Sequence, residues 1–274
     1  MGKFVTEIHP PSGFSLGLKE LWQYRELFYF FTWRDIKVKY KQTYLGILWA
    51  VIQPLGMMLI FTFLFSRTWK IDTTPVDYPV FVLAGLITWN LFNGAVSHAG
   101  ESMLKHSGII NKIYFPRLVI PSSSVLVAFF DFLMGFFIFI VFLIVYKQPL
   151  SLNALVYFPA GIILILICAF GLGTFLSALN VKYRDFRYTI PFGLQFLFFA
   201  SQVIYPLGMV SNNILKYVLA LNPVNAAIEL FRAPLSNSPV EWAVVWIGLA
   251  TTLFILFAGI YYFRKTESYF ADLG

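Results

Sequence analysis

Residues Phe192, Gln195, Phe199 and Gln202 recur at spacings of three, four and three, which puts two amides and two phenyl rings on one face of a helix. Trp49, Gln53 and Gly56 repeat the pattern more weakly, and Asn90, Asn93 and Ser97 make a third polar stripe. Each stripe lies in a strongly apolar run, where an amide facing hydrocarbon is costly. Such faces turn either to other helices or to a hydrated interior. Amide donors and flat rings together suit a sugar, whose hydroxyls take hydrogen bonds while its C–H faces lie on the rings. For any one stripe, hydrogen bonding between helices without a ligand is the competing reading; three stripes in one chain favour a polar, aromatic-lined interior. Asp131 is the one acid well inside an apolar run. It is a functional candidate by position, with a carboxyl paired to a neighbouring hydroxyl or simply protonated as the alternative.

The remaining reactive residues point away from catalysis. There is no Gly-x-x-x-x-Gly-Lys-Ser/Thr phosphate loop, so ATP is not expected to bind and split on this chain, and any driving energy comes from elsewhere. His9, His98 and His106 have no metal-ligand spacing, and no Ser/His/Asp arrangement is recognisable. The single cysteine, Cys168, lies in an apolar run and reads as a packing residue. A proton-coupled carrier would show several buried acids and bases, and Asp131 alone supports that class thinly.

The elements that position these residues are membrane helices. Of 274 residues, 59% are hydrophobic and 12% charged, against about 25% charged in a soluble domain. Six segments meet the roughly 20 apolar residues that a span requires: Tyr44 to Ser66, Pro79 to Ala99, Leu118 to Tyr146, Ala154 to Asn180, Tyr188 to Val210 and Trp242 to Phe263. The fold class is therefore an all-α integral membrane protein. It divides into an N-terminal segment 1–43, a six-helix domain 44–263 and a tail 264–274. Residues 1–43 hold no apolar stretch of signal-sequence length, so the N-terminus is expected to stay in the cytoplasm. The N-terminal segment, the second and fourth loops and the C-terminus carry fifteen of the 20 Lys and Arg, which places both ends on the cytoplasmic side. The net charge of +7 then reads as an orientation signal and an attraction to anionic lipid, with no need of nucleic acid.

Three further segments are neither spans nor simple loops. Leu21, Tyr24, Phe28 and Phe31 form an apolar stripe ahead of the first span, followed by Arg34, Lys37 and Lys41 on a basic face. This reads as an amphipathic helix in the inner headgroup layer, aromatics down and charges toward phosphates; a solvated helix without further role is the alternative. The second cytoplasmic loop, residues 101–116, is helix-compatible, interrupted at Gly108 and stopped at Pro116. Its Ile109, Ile110, Ile113, Tyr114 and Phe115 either bury against the chain's own helices or dock on a soluble partner. Residues 211–241 hold two apolar runs too short to cross, separated by Asn222-Pro223, and read as two short helices dipping in from the outer face, packed on protein.

Several strings resemble a known family. The segment from Phe31 to Pro54 (FTWRDIKVKYKQTYLGILWAVIQP) is similar to the start of type-2 ABC exporter permeases that handle bacterial surface polysaccharides such as O-antigen, capsule and teichoic acid. Tyr114 to Pro121, Leu179 to Asp185, Val203 to Pro206 and Leu221 to Val224 resemble later blocks of that family, in order and at similar spacing. Gln202 stands where many relatives carry proline, which leaves the shape of the outer half of the fifth span open.

The resemblance implies a homodimer working with two copies of a separate ABC ATPase, which would bind the ATP and Mg; this chain itself would be no enzyme and would hold no cofactor or metal. It implies coupling to that ATPase through the N-terminal helix and the loop residues Lys105, His106, Ile109, Ile110, Lys112 and Tyr114. It implies a gate around Asn222, Pro223, Glu229 and Arg232, and a channel for a lipid-linked polysaccharide lined by Trp49, Gln53, Phe192, Gln195, Phe199 and Gln202. From charge and position, Arg34, Lys37 and Lys41 are expected to meet the lipid pyrophosphate at the inner face of the cytoplasmic membrane. Two rival readings remain: a type-2 exporter for a small drug or lipid, and a membrane scaffold that transports nothing.

Overall fold

A computed structural model describes residues 22–41, 46, 48–68, 71, 73–110, 112–113, 115–183, 185–236 and 239–267. They form helices α1 (Arg25–Lys41), α2 (Leu48–Phe61, continued by a π-helical turn Thr62–Thr68), α3 (Tyr78–Lys105), α4 (Ser107–Ile110), α5 (Val119–Val145), α6 (Ala154–Lys182), α7 (Phe186–Phe199), α8 (Asn213–Ala220), α9 (Pro223–Ser236) and α10 (Trp242–Thr266), with a 3-10 turn at Leu207–Met209. No strand occurs among the described residues. Five of the helices are long and apolar enough to cross a membrane, or six if α8 and α9, bent by 100°, count as one span.

Helix α3 is apolar on nearly every side and almost wholly buried, as a helix enclosed by others must be. It packs on α5 and α6; α10 packs on α6, and α9 packs on α6, α10 and α3. Small residues set these distances. A Cβ on Gly259 of α10 would lie 2.1 Å from the Gly171 carbonyl oxygen of α6, so those two backbones touch. Much of the aromatic content is core. Phe132, Phe136, Phe139, Phe158 and Phe231 join α5, α6 and α9, with ring centroids 5.0–6.4 Å apart. Gly46 adopts φ +48° between α1 and α2, a left-handed conformation that a residue without Cβ takes at little cost.

One expected element is corrected. The fifth span, predicted over Tyr188 to Val210, is a 14-residue helix ending at Phe199, about 21 Å long at 1.5 Å per residue and too short to cross alone. Ala200 to Tyr205 follow as turns, with Ser201 to Ile204 buried. Apolar composition suggested a continuous span, but side chains from α9 and α3 satisfy the backbone where the helix stops. The two short helices expected after Val210 are present as α8 and α9. Replacing Gly259 by Ala should push α10 from α6 and cost about 1–3 kcal/mol, measured as a lower unfolding temperature in detergent micelles; unchanged stability would contradict the contact.

Candidate functional site

Where α7 ends, the freed backbone groups are taken up one by one. The Gln202 N–H donates to Asn225 Oδ1 at 2.7 Å, and Asn225 Nδ2 donates to the carbonyls of Leu219 (2.8 Å) and Ala200 (3.3 Å). Arg232 donates to Gln202 O (2.5 Å), Val203 O (2.7 Å) and Phe81 O (3.0 Å), its guanidinium 3.4 Å from the Phe81 ring centroid. Tyr78 donates to Ile204 O at 3.0 Å. Gly85 leaves the room for this knot, since a Cβ there would lie 2.7 Å from Arg232 Nη2 and 2.9 Å from Val203 O. Of the residues expected at the gate, Arg232 is thus a buried brace. Asn222 begins α9, accepting from the Val224 N–H and donating to Ser201 Oγ, with Pro223 at the first helical position. Glu229 lines a cavity of about 370 Å³ together with Arg232, Gln202 and Glu241.

The aromatic stripe divides. Phe192, Gln195 and Phe199 are all exposed on one face of α7, beside Tyr188 and Phe196. Gln202 has left that face; it is buried and its amide donates to Asn225 O at 2.6 Å. On the opposite side of α7, Phe198 packs against Phe61 of α2 and Trp89 of α3. The other two stripes meet elsewhere. Trp49 and Gln53 of α2 and Asn90, Asn93 and Ser97 of α3 line one cavity of about 350 Å³, with His98, Asp131 of α5 and Lys39 and Tyr40 of α1 in its wall.

Helix α1 is clamped at two levels. Its stripe does not point into lipid: Tyr24, Leu27, Phe28 and Phe31 pack on Met103, Ile110, Phe115, Leu118 and Phe263. Leu21 lies outside the described residues. A second aromatic set, Trp22, Tyr29, Phe30 and Trp33, is the exposed one. One turn on, Arg34 donates to Asp35 Oδ1 (2.8 and 3.0 Å) and to His106 Nε2. His106 Nδ1 lies 2.8 Å from Ser102 O, which can only accept, so Nδ1 carries a proton, and Nε2 lies 3.4 Å from Asp35 Oδ2. Burial alone would raise the Asp35 carboxyl, but hydrogen bonds to His106 and Arg34 and their charges outweigh it and hold it below the usual 3.8. At the second level Lys39 and Tyr40 both donate to the Asp131 carboxylate. Burial, reinforced by Asp131, raises the Tyr40 phenol above its ordinary value and keeps it a donor. Asp131 is therefore paired with a lysine as well as a hydroxyl.

Lys37 and Lys41 remain exposed, whereas Arg34 turns inward. In the second loop, His106 and Ile110 are buried against α1, Ile109 is partly buried, and Lys105, Lys112 and Ile113 are exposed. Tyr114 lies outside the described residues. Lys39, Tyr40 and Asn225 escaped the sequence reading. Asn225 follows Asn222 by three residues, and that amide pair at a helix start was the available signal. Among the described residues no group of three His, Cys, Asp or Glu could hold a metal.

Residues 26–235 match the ABC-2 type transporter family. The chain belongs to that family. It is 29% identical over 240 residues to the O-antigen export system permease protein RfbA of Klebsiella pneumoniae, covering 88% of this chain and 92% of that one. A Myxococcus xanthus protein of the same name is 27% identical over 257 residues (93% and 98%), and the polysialic acid transport protein KpsM of Escherichia coli is 24% identical over 239 (85% and 91%).

Two outcomes follow. Arg232→Met leaves the Gln202 and Val203 carbonyls without a donor, at about 1–3 kcal/mol each, and takes a second donor from the helical Phe81 carbonyl, so it should sharply lower stability in detergent; Arg232→Lys should recover only part, because a compact ammonium lacks the planar fork of a guanidinium. A carboxyl depressed on folding contributes stability that is present above its unfolded value and lost as pH falls through the folded one. Docking of α1 should thus hold at neutral pH and loosen as pH drops below about 4, seen as faster amide exchange in residues 25–41 after correction for intrinsic rates. Asp35→Asn should remove that step.

Proposed function

We propose that this chain is the permease subunit of an ATP-driven exporter that moves a lipid-linked, O-antigen-like polysaccharide out of the cytoplasm across the inner membrane. The observation that carries this reading is the α7 face. Phe192, Gln195, Phe196 and Phe199 stand exposed on the protomer, an amide set among phenyl rings. In lipid that amide is costly; facing the same surface of a second copy, it lines a hydrated passage matched to the chemistry of a glycan. The names of the relatives, O-antigen export permease and polysialic acid transport protein, support the same cargo class.

The remaining parts take their roles from this arrangement. The chain has no phosphate loop, so a separate ATPase supplies the energy, two copies serving the dimer. Exposed Lys105, Lys112 and Ile113 form the docking face, while buried His106 and Ile110 pass its movement to α1. The bend at Asn222-Pro223, between α8 and α9, is the external gate. Lys37 and Lys41 meet the anionic headgroup or pyrophosphate at the inner surface, each basic residue contributing about 1 kcal/mol to such attraction. The basic-residue bias places both termini in the cytoplasm.

The test is complementation of a deletion strain, with surface glycan and membrane level of the chain measured together. Wild type should restore glycan. The triple change Phe192→Ala, Gln195→Leu, Phe199→Ala should cut it about tenfold or more, the effect of losing roughly 1.4 kcal/mol at the rate-setting step, with the chain still in the membrane. Lys37→Glu with Lys41→Glu should also reduce export without loss of assembly. Normal export from the triple variant would remove the channel assignment, and a wild-type chain that restores no glycan would remove the cargo.

A further inference from the structure

The cavity shared by α1, α2, α3 and α5 is separate from the exposed α7 face. It belongs to a single protomer, and it is unusual in what its walls leave unpaired. Gln53, Asn90, Asn93, Ser97 and His98 line it, and none of these side chains has a hydrogen-bond partner among the described residues. Asn90 falls near the middle of the 28-residue α3, so the cavity reaches toward the centre of the membrane. At that depth an amide without a partner costs several kcal/mol, and the groups must be met by water or by a ligand rich in hydroxyls.

Charge narrows the ligand further. Among the described residues the cavity is lined by one basic and one acidic side chain, Lys39 and Asp131, and these are bonded to each other, so neither is free for a phosphate or an ammonium. What remains is a neutral set: three carboxamides that each donate and accept, a hydroxyl, an imidazole and the indole face of half-exposed Trp49. The volume of about 350 Å³ lies within the range of small-molecule sites.

We propose that this cavity binds one uncharged sugar unit, its hydroxyls bridging Asn90, Asn93 and Gln53 and its ring lying on Trp49. It is a recognition site inside each protomer, distinct from the shared passage. The inference deepens the exporter reading and rests on it for the source of the sugar: a unit of the exported glycan is recognised here, and the amide positions determine which sugars are accepted.

The experiment uses the permease purified with its ATPase in nanodiscs, and probes it with the free repeat-unit oligosaccharide released from the producing strain's own surface glycan. Saturation-transfer NMR reads binding, and surface glycan in the complemented deletion strain reads export. Asn90→Leu with Asn93→Leu should weaken binding about tenfold or more, the loss of one or two neutral hydrogen bonds, and depress export. Gln53→Leu, at an exposed position of α2 that folding should tolerate, is the second variant and should act in the same direction. Phe254→Ala, on the exposed face of α10, should leave both readouts at wild-type level.

Wild-type binding that survives in both cavity variants would overturn the proposal, as would no binding by wild type while export is normal, which would mean that the cavity holds water or a headgroup only. The two readings separate cleanly. Sugar binding lost in the variants of a chain that restores no surface glycan keeps the site and removes the exporter; normal export and binding in the variants does the reverse.

Discussion

A polypeptide that stops being helical at membrane depth must find partners for every freed N–H and carbonyl, and here Arg232 and Asn225 supply them. Arg232 ties Gln202 and Val203 to Phe81, and Asn225 spans Ala200, Gln202 and Leu219. The short α7, the bent α8–α9 pair and the close approach at Gly85 are parts of one solution. Remove the guanidinium and the Gln202 and Val203 carbonyls lose their donor at once. A buried arginine that bonds only carbonyls could stiffen any fold; here it ties the second half of α9 to the turns after α7 and to the first turns of α3.

The opposite end of the molecule is built differently. Helix α1 rests on the bundle through a buried stripe and is pinned by two polar clamps, Arg34–Asp35–His106 and Lys39–Tyr40–Asp131. The first reaches the end of α3 and the second reaches into α5. A displacement of the second loop would thus be felt by α1 and carried to α5 beside the polar cavity. Asp131 of α5 is thus the far partner of the second clamp.

Much of this was legible in the sequence and some of it was not, for definite reasons. Five spans, a helix ahead of the first of them and the pair of short helices could be read because apolar run length and periodicity report directly on lipid and core contact. The fifth span was read too long because hydropathy is blind to a backbone break that distant side chains satisfy; Gln202 continued the helical spacing on paper yet turned away to Asn225 in space. The stripes on α2 and α3 were recognised as polar faces, but their meeting in one cavity depends on how the helices cross, which spacing within a single helix does not encode. The orientation of the α1 stripe was missed because two aromatic sets share that helix and only packing decides which is buried.

An export passage along α7 requires that this face meet water, not lipid. It is tested most directly by replacing the single cysteine, Cys168, with alanine, placing one cysteine at Phe196 or Phe199, and challenging the assembled exporter in vesicles with a charged, membrane-impermeant thiol reagent. Rapid labelling, slowed when the lipid-linked glycan is bound, is the expected result. Modification by lipid-soluble maleimides alone, with the charged reagent excluded in every nucleotide state, would contradict it.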